Sequence, residues 1–245
     1  MKRRLVLSMG LLAAGSVSAQ MPRFDELMKE AGKLSRPSSA GVVGTGDNRT
    51  DLAGIKEALA VSTERAVASL GRKDGYFGNA AVKILMPPSI RQVADVARMA
   101  GFQRQVDEFI LSMNRAAEAA APLASRYFGD AIRGMSVDDV RGILTGGDTA
   151  ATEFFSARTR DSLHAAFKPV VSQKVGEVGS TSAYKSLMGR YEQVPMARSQ
   201  SLDLDDYVTR KSLDGLFHVL GEEEKKIRTD PVARTTGLLK SVFGK

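Results

Sequence analysis

The residues best placed to do chemistry lie in one stretch, DEFILSMNRAAE from Asp107 to Glu118. On a helix, Asp107, Asn114 and Glu118 follow one edge, and Glu108, Ser112 and Arg115 follow another. Two carboxylates beside an arginine and an asparagine are the parts of a metal-independent hydrolase, one carboxyl acting as acid and the other as base or nucleophile. The same spacing also makes ordinary i,i+3 and i,i+4 pairs, such as Arg115 with Glu118, on a solvated face. Charge runs on helices are usually of that second kind, so pairing is the expectation. Asp107, Glu108, Asn114, Arg115 and Glu118 form a candidate polar cluster, and no residue is assigned as catalytic.

Other catalytic parts are scarce. His164 lies among Arg160 and Lys168, and His218 lies between Asp214 and Glu222. Neither has a second histidine at ligand spacing, and both are expected as solvated surface side chains. The chain has no cysteine and no HExxH run, so neither a zinc site nor any other metal or cofactor site is expected. No GxSxG elbow occurs, and no serine is visibly paired with a base. Gly41, Gly44 and Gly46 follow no strand and precede no GK[ST], which excludes a phosphate-binding loop. The turn ILTGGDT places free amides at a helix start where an anion could sit, but Asp148 is expected to cap them itself.

The elements that carry these residues read as helices. Leu52, Ile55, Leu59, Ala66, Val67 and Leu70 trace a helical stripe ending at Gly71, which is expected to take the left-handed cap conformation. The glycine-rich GRKDGYFGN follows as an ordered loop with buried aromatics, and Val82 to Met86 runs extended into Pro87-Pro88. A helix from Ser89 ends near Gly101. A second, from about Gln103 with Val106, Phe109, Ile110, Met113 and Ala117 inward, completes a helical hairpin. Pro122 to Met135 is again helical, and Ser136 with Asp139 makes a capping box for a short helix stopped at Gly146-Gly147. The next helix turns Ala151, Phe154, Phe155, Leu163, Phe167 and Val170 inward, with a kink expected at Pro169. Ser180 to Tyr191 reads as a further helix, and Glu192 to Leu202 as a loop.

Asp203 then caps a long helix with Leu213, Leu216, Phe217 and Leu220 on one face and Lys211, Asp214, His218, Glu222 and Lys225 on the other. Its end is expected to be exposed and held by the pairs Glu222 with Lys226 and Glu224 with Arg228. Asp230-Pro231 opens a last short helix whose face of Leu238, Leu239, Val242 and Phe243 is expected to dock on the bundle. No stretch alternates convincingly with period two. The fold class is therefore all-α, a single multi-helix bundle domain.

At the chain's start, Lys2, Arg3 and Arg4 precede the apolar run Leu5 to Ala14, and Val17-Ser18-Ala19 precedes Gln20. This is the pattern of a signal peptide, with cleavage expected after Ala19. The apolar run is about half the ~20 residues that a membrane span needs. The expected layout is a signal peptide over 1–19, a flexible linker over 20–50 and the helical domain over 51–245. Removing 1–19 takes away Lys2, Arg3 and Arg4 and no acid, which lowers the formal charge from +7 to +4. That excess, with no basic stripe interleaved with aromatics, argues against a nucleic-acid partner.

Four segments resemble a bacterial family of uncharacterised function, domain of unknown function 4197. They are GIKEALAVSTERAVASLGRKDGYFGNAAVKI from Gly54, DEFILSMNRAAEAAAP from Asp107, GILTGGDTAATEFF from Gly142, and DYVTRKSLDGLFHVLGEEEKKIRTDPVARTTGLLKSVFG from Asp206. The resemblance implies an exported, mostly helical protein of a Gram-negative bacterium, with no assigned activity, cofactor or partner and so no catalytic residues to transfer. Many relatives have a cysteine at the processing site. Here Ala19 and Gln20 stand there, which argues against a lipid anchor.

The expected protein is therefore periplasmic or secreted and not transmembrane once processed. It is expected to act as a non-catalytic module that binds an envelope protein or a small apolar ligand. The alternative is a metal-independent, carboxylate-based hydrolase acting on an envelope component. Two carboxylates facing each other across a cleft would favour the enzyme.

Overall fold

A computed structural model describes residues 48–179, 189, 203–234, 237 and 240. They fall within one compact unit, 46–245. Among the described residues every regular element is a helix. The principal ones are α1 (Asn48–Gly71), α2 (Arg91–Ala97), α3 (Gln103–Ala120), α4 (Ala124–Arg133), α5 (Val137–Thr145), α6 (Ala150–Gly179) and α7 (Leu204–Thr229). Short 3-10 turns at Pro88–Ile90, Ala121–Leu123 and Pro231–Ala233 and one π turn at Arg98–Phe102 join or flank them. α1 begins three residues inside the stretch that composition marks as linker. Helix ends commonly stray by a residue or two from a boundary drawn on composition.

The core follows the helical stripes. α6 packs on α3, α4 and α7, while α1 lies against α4 and α7. Phe128 of α4 joins Phe155 of α6 and Phe217 of α7, with ring centroids 5.1 and 6.0 Å away. Each such ring contributes roughly 1.5–3 kcal/mol by leaving water. On α7, Leu213, Leu216, Phe217 and Leu220 are buried and Lys211, Asp214, His218, Glu222 and Lys225 are exposed, as the periodicity requires. No helix of the described residues is long and apolar enough to cross a membrane.

Four of the buried hydroxyls inside the helices bond back to their own helix. Ser62, Thr63, Thr159 and Ser212 each donate to the carbonyl four residues earlier. This satisfies polar atoms without reaching across the core.

Several expectations are corrected. Gly71 does not take a left-handed conformation; that falls to Asp74, with φ 63°, three residues later. Gly71 matters instead for space, since a Cβ there would stand 3.1 Å from Pro122 Cγ. On α6 it is Val171 that is fully buried, with Val170 half-buried. Pro169, where the kink is expected, stands inside α6, and the helix continues beyond it to Gly179. Proline deprives the carbonyl of Ala165 of its helical donor, but Ala165 is exposed and water can take that place. Lys226 pairs with Glu223, at 2.6 Å, rather than with Glu222. The faces expected of Leu238, Leu239, Val242 and Phe243, and most of the helix and loop expected between Ser180 and Leu202, lie outside the described residues.

Candidate functional site

The polar stretch of α3 divides in two. Asp107 and Glu108 stay at the surface: Asp107 accepts from Gln103 at 2.6 Å and faces Arg98 at 3.5 Å, and Glu108 faces Arg104 at 3.6 Å. Asn114 and Glu118 turn inward and are buried. Arg115 spans the boundary, donating to Glu118 at 2.5 Å and to Asp74 at 2.7 Å. The hydrogen bond to Glu118, more than the one to Asp74, holds the guanidinium pKa above its ordinary value.

The inward residues grip the loop that follows α1. Glu118 Oε1 accepts the backbone amides of Tyr76 and Phe77, both at 3.2 Å. Asn114 Oδ1 accepts the amide of Ile84 at 2.8 Å, and its Nδ2 donates to the carbonyl of the same residue at 2.8 Å. One asparagine thus pairs with Ile84 as a neighbouring strand would. The Tyr76 ring is fully buried, and its hydroxyl donates to the carbonyl of Ser212 on α7 at 2.7 Å. Burial, and secondarily the Glu118 charge, push that phenol far above the usual tyrosine range. Between these anchors the loop needs glycine twice. A Cβ on Gly75 would sit 2.4 Å from the carbonyl oxygen of Leu70, and one on Gly78 would sit 2.8 Å from that of Asp74.

A second buried carboxylate does related work 106 residues later in the chain. Glu224 of α7 accepts the amides of Ala151 and Thr152 and the Thr152 hydroxyl, at 3.0, 2.9 and 2.8 Å. Arg228 donates to Glu224 at 2.8 Å and to the carbonyl of Ile143, in α5, at 2.9 Å. The amides at the start of α6 do hold an anion, but it comes from the protein's own α7. Asp148, expected to cap this helix, is replaced in that role by Glu224, with Thr149 donating to Glu153 at 3.1 Å beside it. The end of α7 is therefore buried on one side, at Glu224 and Ile227, while Glu222, Lys225, Lys226 and Thr229 remain exposed. A cavity about large enough for one water molecule lies here, between Ser62 of α1, Ala151 and Glu224.

The histidines differ from each other. His218 is exposed. His164 is half-buried, with Nε2 2.9 Å from Asp206 Oδ1. That contact is the middle rung of a ladder between α6 and α7, flanked by Arg160 to Asp214 at 3.0 Å and Lys168 to Asp203 at 3.1 Å. Among the described residues no group of three or more histidines, aspartates or glutamates is arranged to hold a metal ion. The carboxyls of Asp139 and Asp203 are shifted, and both shift downward. The first cause is the backbone amide each one caps, of Ser136 and Asp206 respectively. A general acid needs the opposite shift.

The structure thus defines an all-helical protein whose inward-facing acids act as internal staples. Residues 46–244 match the family described as a protein of unknown function, DUF4197. The chain belongs to that family. No curated protein and no solved structure matches the chain.

Proposed function

We propose that this protein is a non-catalytic binding or interaction module that works in the periplasm of a Gram-negative cell after removal of residues 1–19. The observation that carries the first half is the engagement of Glu118 and Glu224. Each accepts two backbone amides and an arginine, which leaves neither carboxylate poised to donate or accept a substrate proton. Asp107 and Glu108, the other acids of the α3 cluster, lie on the exposed face and pair with near neighbours. The second half rests on the basic, apolar and small-residue order of residues 1–19.

The test of the first half is turnover. The purified protein, incubated with peptidoglycan fragments and chromogenic glycosides, is expected to show no hydrolysis above that of an Asp107→Asn/Glu108→Gln variant. Hydrolysis by the natural protein that disappears in this variant would replace the binding reading with the carboxylate hydrolase. Export is tested by fractionation and amino-terminal sequencing, with a mature start at Gln20 expected. A cytoplasmic protein retaining Met1 would overturn it.

A further inference from the structure

We propose that the loop over residues 72–83 is a preformed docking surface for an acidic segment of a protein partner, a reading that builds on the interaction role above. Three anchors from two helices fix this loop: Glu118 on two of its amides, Asn114 on Ile84 at its exit, and Ser212 on the Tyr76 hydroxyl. Holding a surface loop so firmly lowers the entropy lost when it binds, which is why recognition loops are often pinned to a rigid scaffold.

The loop's outward side is cationic. Arg72 and Lys73 are exposed, and Lys83 rests its ammonium 3.9 Å from the centroid of the Phe77 ring. No side-chain ion pair engages Arg72, Lys73 or Lys83 among the described residues; Arg65, Arg91, Arg126 and Lys225 share that state, but none of these lies on the pinned loop. The loop's one acid, Asp74, is already held by Arg115. Cations just past a helix end often serve that helix by bonding its last carbonyls. Neither Arg72 nor Lys73 does so, and the last turn of α1 itself carries no basic residue.

With exposed Arg91, whose charge acts on the Tyr207 that bonds the carbonyl of exposed Leu85, the loop's three cations reach only the lower end of the four to eight basic residues that typically hold a protein on anionic lipid. A fixed backbone also adds little to adsorption on a fluid surface. A carboxylate-bearing peptide with one apolar side chain for Leu85 fits better.

The probe is a fluorescein-labelled Glu-Glu-Leu-Glu-Glu peptide, with Lys-Lys-Leu-Lys-Lys as control and phosphatidylglycerol vesicles as a second arm. Saturable binding of the acidic peptide is expected, weakening with added salt and falling at least tenfold in an Arg72→Ser/Lys73→Ser/Lys83→Ser variant. Arg72 and Lys73 face outward and Lys83 is half-buried against Phe77, so a cooperative melting transition, lowered by no more than in Lys83→Ser alone, will show that the variant still folds. No binding of the acidic peptide, equal binding by the variant, or binding to the vesicles alone would overturn the proposal. Such a failure, with glycan hydrolysis still absent, would leave the non-catalytic reading standing.

Discussion

The ring of Tyr76 occupies a notch that Gly215 leaves in α7: a Cβ at position 215 would lie 2.7 Å from the ring's Cε1 and 3.1 Å from Val82 Cβ. A glycine inside a helix costs roughly 1 kcal/mol relative to alanine. Here that cost is offset by complete burial of an aromatic ring from a distant loop. Gly215→Ala is expected to reverse the usual benefit of alanine and destabilise the fold by about 1–3 kcal/mol, because the ring must leave the notch or strain against it. Urea unfolding will measure it, and a stabilised Gly215→Ala protein would contradict the notch.

The Tyr76 phenol gives a pH signature. Its folded pKa is raised, so the unfolded chain releases this proton first as the solution becomes alkaline. The associated stability is full below the ordinary tyrosine value of about 10 and declines as pH rises beyond it. Tyr76→Phe is expected to cost about 1 kcal/mol at neutral pH for the lost bond to Ser212. It is also expected to flatten part of the alkaline loss. Melting curves between pH 7 and 11 distinguish this from a variant that merely loses stability at every pH.

Glu224 is the most sensitive acid on α7. Removing it uncaps α6 and takes the carboxylate away from Arg228, whose side chain is only 13% exposed. Breaking one partner of a buried pair costs on the order of 3–5 kcal/mol, so Glu224→Ala is expected to approach that figure. Arg228→Met, which leaves the carboxylate its two amides, should cost less. Equal effects of the two substitutions would mean that the salt bridge, not the amide cap, is the main contribution.

Glu118 and Glu224 also mark where the sequence was legible and where it was not. A period of 3.6 finds the helices and most of their inward faces because burial repeats along one element. It also finds Arg115 with Glu118 and Glu224 with Arg228, since both pairs are local. It does not find the amides of Tyr76, Phe77, Ala151 and Thr152, because these lie 41 to 73 residues away from their acid. One signal was available. Glu224 falls four residues after Leu220 and three before Ile227, on the apolar stripe itself, and an acid there demands a buried partner. The shift from Val170 to Val171 is the smaller failure of phase expected along a 30-residue helix.

Acid should loosen the short helix α5 before the core. Asp139 accepts from the backbone and hydroxyl of Ser136 and faces Arg158 at 2.9 Å, and its pKa is lowered mainly by the backbone bond. Its stabilisation is therefore full above the ordinary carboxylate range and is lost as pH falls through that range to the lower folded value. Asp139→Ala is expected to cost about 1 kcal/mol at pH 7 and to reduce the acid dependence. Asp107→Asn, on a pair open to solvent, should change stability by less than about 0.5 kcal/mol. An Asp139→Ala protein with an unchanged acid transition would refute the capping box as its source.

The final turn tests how α7 is closed. Asp230 accepts from the Val232 amide at 2.8 Å and starts the 3-10 turn Pro231–Ala233. That turn brings Arg234 back onto α7, where it donates to the carbonyls of Ile227 and Arg228 at 3.0 and 2.8 Å. A guanidinium on the last carbonyls satisfies acceptors that the helix cannot and opposes the negative end of its dipole. Ala233 also packs beside Ala58 of α1 and Ile227, which ties the turn to the first helix. Truncation after Thr229 removes these contacts together, so the shortened protein is expected to melt several degrees lower. Arg234→Ala in the full chain should reproduce about 1 kcal/mol of that loss. If truncation leaves the melting temperature unchanged, the turn is not a structural clasp, and the residues beyond Thr229 would have to be tested for partner binding instead.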